Sequence, residues 1–442
     1  MAQLQLFKDR HPFLVGSLPA DVEVEQTDLN LAQSTFVGGL DIPAHRWYKL
    51  RPSFSPFLVK FLYERLATQK IESVFDPFSG AGTTVLECKM LGIDSCGIEI
   101  NPFLSRFTEL ALDWSASPAV LARCSQQLLE QLTKISHRVA RLDLEKAAAF
   151  LDVKVPPIHN VLRWWRPDVL KYLLAAKRVL YELKLDTCAY RVLWLALASV
   201  CIEVANIKRL HPTLSFYDRS GEHIDALQIL RQKIEVIASD LSALYKIKVK
   251  AQARVYQGNS LSPDTFLKLH APVALITSPP YPNRYSYVWE TRPHLYMMDL
   301  MTTGTEAAQL DLDAPGGTWG TATSILTKGE LEPQTTCLTL QLADPIRQLR
   351  KIDNLMANYV IKYFNMMDEH FDAMGRVLPK DSRFAYVVGN SRIKGVDVCT
   401  GSIFAQVLNS KPWAKVESLI VFRRRIGKKN LYETAVIGDK VL

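Results

Sequence analysis

The chain has 442 residues, of which 48% are apolar and 22% are charged, as in an ordinary globular protein. These values exclude a disordered chain, a collagen and a small disulfide scaffold, and the length suggests about two domains or one with a large insertion. Lys and Arg total 53 against 45 Asp and Glu. The resulting net charge of +8 permits an anionic partner such as nucleic acid.

The seven cysteines predict neither a disulfide framework nor a zinc site, because their number is odd and no two are spaced C-x-x-C. We therefore expect reduced thiols, no bound metal and a cytoplasmic protein. The N-terminal stretch carries Asp9 and lacks a long apolar run, unlike a signal peptide. The most apolar stretch, residues 192–202, is too short to span a bilayer and predicts a buried helix, so we expect no membrane contact.

The first part of the chain predicts the start of an α/β fold. Residues 1–40 show no clear period and stay unassigned. A helix is predicted after Ser55, because serine suits an N-cap and Pro56 suits the first turn. Residues 71–110 then predict a strand, a glycine turn, a helix that ends at Gly92, and a second strand. This alternation is typical of a parallel sheet.

The period becomes helical from about residue 112 to 250, which predicts a helical insertion. The insertion either covers the sheet or recognises a substrate, and the sequence leaves both roles open. Strands are predicted again at 253–256 and 273–277, whereas the Gly-, Thr- and Pro-rich residues 302–345 predict a long loop. The remaining predicted elements are a helix at 351–375 and strands at 384–388 and 416–422.

The first motif with chemical meaning is DPFSGAGTT, residues 76–84, between a predicted strand and helix. Its glycines permit a tight turn against a ligand, and the helix N-terminus favours a carboxylate or phosphate. Glu99 ends the next strand, where an acidic side chain can accept hydrogen bonds from both hydroxyls of a ribose. The motif lacks the lysine of a Walker loop and the third glycine of a dinucleotide loop. It therefore predicts a nucleoside-containing cofactor on a Rossmann-like sheet.

The second motif is TSPPY, residues 277–281, at the end of an apolar predicted strand. Its two prolines make a rigid turn that exposes backbone carbonyls. The Ser278 hydroxyl can accept a hydrogen bond from an amine, and Tyr281 offers a flat face on which a base can stack. Elsewhere, Trp164 and Trp165 lie beside arginines, and we expect them to pack in the core rather than to bind nucleic acid.

The order DPFSGAGTT, GIEINP and TSPPY resembles the S-adenosylmethionine-dependent methyltransferases that modify exocyclic amines of DNA bases. The form Ser-Pro-Pro-Tyr most resembles the cytosine-N4 branch, since the adenine-N6 branch more often carries Asp or Asn at the first position. The resemblance implies an α/β fold with a Rossmann-like class I methyltransferase sheet. It also implies a catalytic domain of residues 41–111 and 251–442. The DNA target would then be read by the insertion at 112–250 or by the region at 302–345, and we favour the insertion.

The resemblance also implies roles for individual residues. The expected S-adenosyl-L-methionine contacts are Asp76, Pro77, Phe78, Ser79, Gly80, Gly82, Thr83, Thr84, Glu99, Ile100, Asn101 and Asn259. The run from His45 to Ser55 matches the segment beside the methionine carboxylate, and Asn259 stands where the family often has Asp near the adenine amine. The expected catalytic residues are Ser278, Pro279, Pro280 and Tyr281. Contacts to the flipped nucleotide or to phosphates would come from Asn283, Arg284, Tyr285, Tyr287, Arg292, Arg423 and Arg424.

The implied reaction is methyl transfer to cytosine N4 in a specific sequence of double-stranded DNA, beside a cognate restriction endonuclease. Ser278 Oγ and the Pro279 carbonyl would accept the two amine hydrogens, while Tyr281 stacks on a base that has been flipped out of the duplex. Methylation at carbon 5 is disfavoured, because it needs a cysteine after proline and none is present. Three alternatives stay open: an adenine-N6 DNA methyltransferase, a tRNA guanine-amine methyltransferase and a non-catalytic DNA-binding subunit.

Overall fold

The computed structural model describes residues 18–442 apart from short stretches. These stretches are residues 20, 31–32, 34, 51–52, 54, 209–213, 266, 284, 318–320 and 427–428, and the side chains of 265, 321–322 and 424–431. No helix in this described part of the chain is long and apolar enough to cross a membrane.

Strands make up the centre of the molecule. In chain order they are β1 (Glu23–Asp28), β2 (Ser73–Asp76), β3 (Asp94–Glu99), β4 (Ile207–Lys208), β5 (Ser215–Phe216), β6 (Ala253–Gln257), β7 (Val273–Thr277), β8 (Arg383–Gly389), β9 (Ser391–Ile393), β10 (Val396–Val398), β11 (Ala414–Ile426) and β12 (Lys429–Lys440). Eight of them form one sheet in the order β1-β11-β12-β8-β7-β2-β3-β6, and the other four form two short hairpins.

Only β12 runs antiparallel to its neighbours in this sheet. The other strands run parallel, so the carboxyl ends of β2, β3, β7 and β8 meet at one edge. Every residue of β7 is buried, as expected for a parallel strand that is covered on both faces. The topology confirms the predicted Rossmann-like α/β class, and ligands bind at this edge in open sheets of this kind.

Helices cover the sheet and form a layer of their own. They are α1 (Pro56–Leu66), α2 (Thr83–Leu91), α3 (Pro102–Ala111), α4 (Pro118–Ala140), α5 (Leu144–Leu151), α6 (Val161–Trp164), α7 (Pro167–Glu182), α8 (Thr187–Glu203), α9 (Ala226–Ile247), α10 (Tyr287–Met297), α11 (Gly304–Asp313), α12 (Thr321–Leu326), α13 (Thr336–Ile352), α14 (Asn354–Val377) and α15 (Thr400–Asn409). The predicted start of α1 after Ser55 is confirmed. The end of α2 at Gly92 is also confirmed, where φ is +77°.

The two faces of the sheet belong to different apolar clusters because side chains alternate along each strand. Leu275 of β7 packs in the cluster that contains α14, whereas Ala274 and Ile276 pack with α1. The helices α4 to α9 share a third cluster with α3 and α10. The predicted buried helix lies in α8, where Trp165 donates its indole N–H to the Cys201 carbonyl at 2.7 Å. Trp164 and Trp165 are core residues, as expected.

The prediction of a long loop at 302–345 is wrong, because α11, α12 and most of α13 lie there. Thr303 and Glu306 form a capping box that starts α11, and Thr335 caps α13. The apolar residues of α13 recur at helical spacing and are buried, and they are Leu338, Leu342, Ile346 and Leu349. Some of the residues that suggested a loop form caps and turns, such as Thr303, Thr335 and Pro315, whereas Pro345 lies inside α13.

The unassigned N-terminal segment contributes a strand to the sheet. β1 pairs in parallel with β11 from Glu23 to Asp28 and extends the sheet at that edge. The Arg423 side chain at the end of β11 donates to both carboxylate oxygens of Asp28, at 2.9 and 2.6 Å. Arg65 of α1 forms an ion pair with Glu25 on the same strand. Charged side chains therefore fasten a strand that has few apolar residues.

We expect Asp240→Ala to lower the free energy of unfolding by about 1–3 kcal/mol, because it leaves a buried donor without a partner. Asp240 accepts the Trp47 indole N–H at 2.8 Å and Arg46 Nε at 3.0 Å, and it joins α9 to the segment that leads into the sheet. Urea denaturation measures the change. Glu235→Ala on the exposed face of α9 is the control and should shift stability by less than about 0.5 kcal/mol. Equal losses in both variants would contradict this role.

Candidate active site

The carboxyl edge of the sheet opens into a cleft of about 1040 Å³ where the two motifs meet. Residues expected at a cofactor or catalytic site that line it are Pro77, Phe78, Ser79, Gly80, Thr83, Glu99, Ile100, Asn101, Asn259, Ser278, Pro280 and Tyr281. Tyr287, expected to contact the flipped nucleotide, also lines it. The predicted segment before α1 contributes Leu50 and Ser53. Pro279 is buried beside the wall.

The glycine loop after β2 is shaped by close packing against α3 and β3. Gly82 has φ +84°, and a Cβ there would lie 2.4 Å from Thr108 Cγ2. Thr108 also donates its hydroxyl to the Gly80 carbonyl at 3.2 Å. A Cβ on Gly97 of β3 would lie 2.7 Å from Ser79 Oγ. Only glycine fits at these positions, so the loop lies close enough to the sheet to leave the cleft open above it.

Asp76 holds the two motifs together from behind the cleft. Its side chain is fully buried, and its Oδ1 accepts the Thr277 hydroxyl at 2.6 Å and the Phe78 amide at 3.0 Å. Burial raises the pKa of Asp76 to about 6, although these hydrogen bonds oppose the shift. Among the described residues Oδ2 has no hydrogen-bond partner. Gly82 and Thr84, like Asp76, do not form part of the cleft wall.

Glu99 presents a carboxylate to the cleft from the end of β3. Its Oε2 accepts the Gly80 amide at 2.7 Å, and its Oε1 accepts the Asn101 amide at 2.8 Å. A carboxylate has about four lone-pair sites, so Glu99 can still accept hydrogen bonds from a ligand. Burial raises the pKa of Glu99 to about 7. The geometry suits a ligand with two neighbouring hydroxyl groups.

Asn101 and Asn259, both expected to contact the cofactor, also make hydrogen bonds that stabilise the fold. Asn101 caps α3 through the Phe103 amide at 3.1 Å, and its Nδ2 donates to Thr291 Oγ1 of α10 at 2.7 Å. Asn259 Oδ1 accepts the Leu261 amide at 3.0 Å, which closes the turn after β6. The second lone pair of that oxygen can still accept a hydrogen bond from a ligand amine in the cleft.

The Ser-Pro-Pro-Tyr turn projects from β7 into the same cleft. Ser278 Oγ can donate to the Tyr281 hydroxyl oxygen at 3.4 Å, which leaves the serine lone pairs for a ligand. The Tyr281 ring lies against Gly389 of β8, where a Cβ would come within 2.8 Å of its Cε2 atom. Tyr359 of α14 donates its hydroxyl to the Tyr281 carbonyl at 3.4 Å. The ring is thus supported from the side opposite the cleft.

The turn between α11 and α12 forms one wall of the cleft that the motifs did not reveal. Ala314 and Pro315 line the cleft, and a Cβ on Gly316 would lie 3.0 Å from Pro280. The Lys362 ammonium of α14 donates to the Ala314 and Gly317 carbonyls at 3.2 and 3.0 Å. Burial lowers the pKa of this lysine to about 8. The only sequence signal was the Pro-Gly-Gly cluster at 315–317.

Other cleft residues missed from the sequence come from helices and from the antiparallel strand. They are Leu104, Val288, Leu310 and Glu433. Glu433 reaches the cleft because β12 pairs with β8 and places it opposite Gly389. Its position depends on a long-range strand pairing, so no local pattern could have identified it.

The predicted nucleotide and phosphate contacts are more scattered. Asn283 is exposed and closes the turn by accepting the Tyr285 amide at 3.2 Å, while Tyr285 is buried and packs edge-on against Tyr287. The Arg292 guanidinium lies 5.2 Å from the centre of the Trp289 ring. The Arg423 side chain is hydrogen-bonded to Asp28 of the edge strand β1. Arg284 and the Arg424 side chain lie outside the described residues.

His370 of α14 joins three parts of the cleft from below. Its Nδ1 lies 3.1 Å from the Ser260 carbonyl, and its Nε2 lies 3.0 Å from the Tyr386 hydroxyl. The Phe78 ring packs on the imidazole at 4.7 Å between centres. Burial lowers the pKa of His370 to about 3, so the ring is neutral and one nitrogen donates while the other accepts.

Comparison with known proteins gives sequence matches to DNA methyltransferases. A DNA methylase family model, N6_N4_Mtase, matches residues 58–109. Over 406 residues the chain is 23% identical to the type II methyltransferase M.AvaI of Nostoc sp., which covers 83% of this chain and 78% of that protein. It is 25% identical over 304 residues to M.BsoBI of Geobacillus stearothermophilus, covering 65% and 58%. These sequence similarities support a DNA methyltransferase of the N6/N4 type.

Two solved structures show only low similarity to the chain. One is TrmN from Thermus thermophilus, with a TM-score of 0.31 and 9% identity over 90% of this chain and 52% of that chain. The other is the rRNA methyltransferase aviRa from Streptomyces viridochromogenes, with a TM-score of 0.28 and 10% identity over 88% and 86%.

Methyltransferase relatives imply S-adenosylmethionine as the methyl donor, and the residues of the cleft fit this group. The Glu99 carboxylate retains acceptor capacity for the ribose hydroxyls. Ser79 Oγ is buried at the cleft wall and has no hydrogen-bond partner among the described residues, so it can bind a polar atom of the donor. No group of three or more His, Cys, Asp or Glu in the described residues could hold a metal ion, and the absence of a metal stays a prediction.

We expect S-adenosylmethionine to bind about tenfold more tightly near pH 8 than near pH 6, because the ribose hydroxyls need the ionised form of Glu99. The pKa of about 7 in the free protein means that most Glu99 side chains are protonated at the lower pH. Calorimetry across this range measures the effect. Glu99→Gln should bind weakly and lose most of this pH dependence. An unchanged profile in the variant would assign the titration to another group.

We expect His370→Phe to weaken S-adenosylmethionine binding by about tenfold, because the Ser260 carbonyl and the Tyr386 hydroxyl both lose a partner. Calorimetry of the cofactor alone gives the dissociation constant. Tyr363→Phe is the matched control, since this tyrosine lies on the same helix and its buried hydroxyl has no partner among the described residues. An asparagine at 370 should restore part of the affinity. Equal weakening by the Tyr363 control would show a general effect on α14.

Proposed function

We propose that the protein transfers a methyl group from S-adenosylmethionine to N4 of cytosine in a specific sequence of double-stranded DNA. The observation that carries this proposal is the position of Ser278, whose hydroxyl faces the same cleft as the Glu99 carboxylate. The sequence relatives that are named as type II methyltransferases further support a role as the modification enzyme of a restriction-modification system. Such a role places the protein in the cytoplasm near the nucleoid, with a cognate endonuclease as a partner.

The chain's contribution to the reaction is to position and polarise the amine. S-adenosylmethionine supplies an electrophilic methyl group on a positively charged sulfur. Cytosine N4 is a weak nucleophile because its lone pair is delocalised into the ring. Ser278 Oγ and the Pro279 carbonyl accept its two hydrogens, which pulls the nitrogen toward a tetrahedral shape and takes its lone pair out of conjugation with the ring. The nitrogen then forms one bond to carbon as the carbon–sulfur bond breaks, and one amine proton leaves to solvent.

The surroundings of Ser278 suit this role as an acceptor. Its hydroxyl hydrogen can point to the Tyr281 hydroxyl at 3.4 Å, so both serine lone pairs can face the amine. The Tyr281 ring is held against Gly389 and offers its other face to the base. Correct orientation of the two reactants can provide much of the rate enhancement without a covalent intermediate. The base must leave the duplex to reach the cleft.

The helical residues 112–250 are proposed to recognise the DNA target, and residues 41–111 and 251–442 to form the catalytic domain. In support, the helical layer packs directly on α10, which follows the Ser-Pro-Pro-Tyr turn. The strand β1 lies outside these boundaries but belongs to the same sheet.

The deciding experiment incubates the protein with isotope-labelled S-adenosylmethionine and mixed-sequence duplex DNA, and then separates the nucleosides by mass spectrometry. We expect labelled N4-methylcytosine. Ser278→Ala should lower kcat by about ten- to hundredfold, because it removes one acceptor for the amine, while cofactor affinity stays unchanged. Ser115→Ala, at an exposed site in the helical layer, is the control and should keep full activity.

Other outcomes separate the alternatives. Labelled N6-methyladenine would overturn the choice of base but keep the cofactor site and the role of the turn. Label in tRNA instead of DNA would move the function to the RNA enzymes. A non-catalytic subunit would be favoured if the protein binds the cofactor but labels neither nucleic acid, and if Ser278→Ala leaves cofactor binding unchanged.

A further inference from the structure

We propose that a basic surface formed by Arg163, Lys208 and Arg292 contacts the phosphates of the DNA duplex next to the flipped base. We call these three residues the hairpin surface, because Lys208 lies on the β4–β5 hairpin and the other two lie beside it. The inference rests on the proposed function for its partner and goes beyond it in naming the contact.

The hairpin surface is connected to the cleft through α10. α10 follows the Ser-Pro-Pro-Tyr turn, and its first residues Tyr287 and Val288 line the cleft. One turn later Glu290 accepts the Leu214 amide of the hairpin segment at 3.0 Å. Trp289 of the same helix packs against Trp164 at 5.8 Å between ring centres. A duplex that delivers a base to the cleft therefore passes close to this surface.

Each of the three cations lies over an aromatic ring. The Arg163 guanidinium is 4.1 Å from the centre of the Phe216 ring, and Lys208 Nζ is 5.6 Å from that of Tyr217. The Arg292 guanidinium is 5.2 Å from the Trp289 ring. Such contacts hold the long side chains in place while their outer N–H groups stay available to an anion.

None of the three cations forms an ion pair with an acidic side chain of the described residues, in contrast to the arginines around them. Arg166 is paired with Asp168, and Arg219 is paired with Glu222. Arg163 and Lys208 are exposed, and Nε of Arg292 is buried without a hydrogen-bond partner in the described part of the chain.

The nearby acidic side chains accept hydrogen bonds from backbone amides. They therefore repel an anion less than free carboxylates would. Glu290 accepts the Leu214 amide, and Asp218 accepts the Ser220 amide at 2.8 Å. Phosphate oxygens are the anions that fit unpaired, orientated cations beside a base-binding cleft. The hairpin surface should therefore fix the position of the duplex without reading its sequence.

The test compares the double variant Arg163→Gln, Lys208→Gln with the wild-type protein and with the control Lys246→Gln, Lys250→Gln. The control removes the same charge from two exposed lysines that precede β6. They lie before the amino end of this strand, whereas the cleft lies at the carboxyl edge of the sheet. Binding to a labelled mixed-sequence duplex is measured over a range of salt concentrations. Loss of two phosphate contacts should lower the slope of log K against log salt by about two and weaken binding about tenfold per contact near 0.1 M salt.

We expect kcat at saturating DNA and the affinity for S-adenosylmethionine to stay unchanged in the double variant. Exchange of the two cations, Arg163→Lys with Lys208→Arg, should keep the wild-type salt slope. An unaltered slope in the glutamine variant, an equal loss in the control, or the same effect on RNA with no binding of DNA would overturn the proposal. Failure of the wild-type protein to methylate DNA is a separate result, which would count against the proposed function.

Discussion

The hydrogen bond from Thr277 to Asp76 is the interaction on which the cleft depends. It joins two residues that are 201 positions apart in the chain, at 2.6 Å, and it lies at the ends of two adjacent parallel strands. The loops that leave these strands carry the glycine motif and the Ser-Pro-Pro-Tyr turn. Because the carboxylate is fully buried, a change in either strand's register would leave it without its partner. The bond thus fixes the relative height of the glycine loop and the Ser-Pro-Pro-Tyr turn.

Support for the cleft comes mainly from α14, a helix without a recognisable motif. Lys362 holds the 314–317 turn, Tyr359 contacts the Tyr281 carbonyl and His370 joins the Ser260 and Tyr386 positions. Lys362 lies about one turn and His370 about three turns after Tyr359, so one rigid helix supports both the glycine loop and the Ser-Pro-Pro-Tyr turn. Side chains that act through a neighbour in this way carry no local signature in the sequence.

The sequence was most informative where local geometry and chemistry coincide. The glycine loop, the acid at the end of β3 and the proline turn each need particular residues at short spacing, and all three lie at the cleft. The sequence was least informative where tertiary packing, rather than a local pattern, determines the structure. β1 carries a polar pattern and forms because β11 offers an open edge and Arg65 and Arg423 supply charge partners. The helices at 302–345 were hidden by caps and turns whose composition is also typical of loops.

The distribution of charge suggests why the acids and the cations lie in different places. The Glu99 carboxylate lies at the wall of the cleft that would receive the positively charged methyl donor, and the Asp76 carboxylate lies behind that wall. Burial raises the pKa of each, so a cationic ligand restores the ionised state that the empty cleft disfavours. The unpaired cations instead lie over aromatic rings, Lys208 on the β4–β5 hairpin and Arg292 on α10. A polyanion on the hairpin surface and a cation inside the cleft can therefore bind at the same time without competing for the same charges.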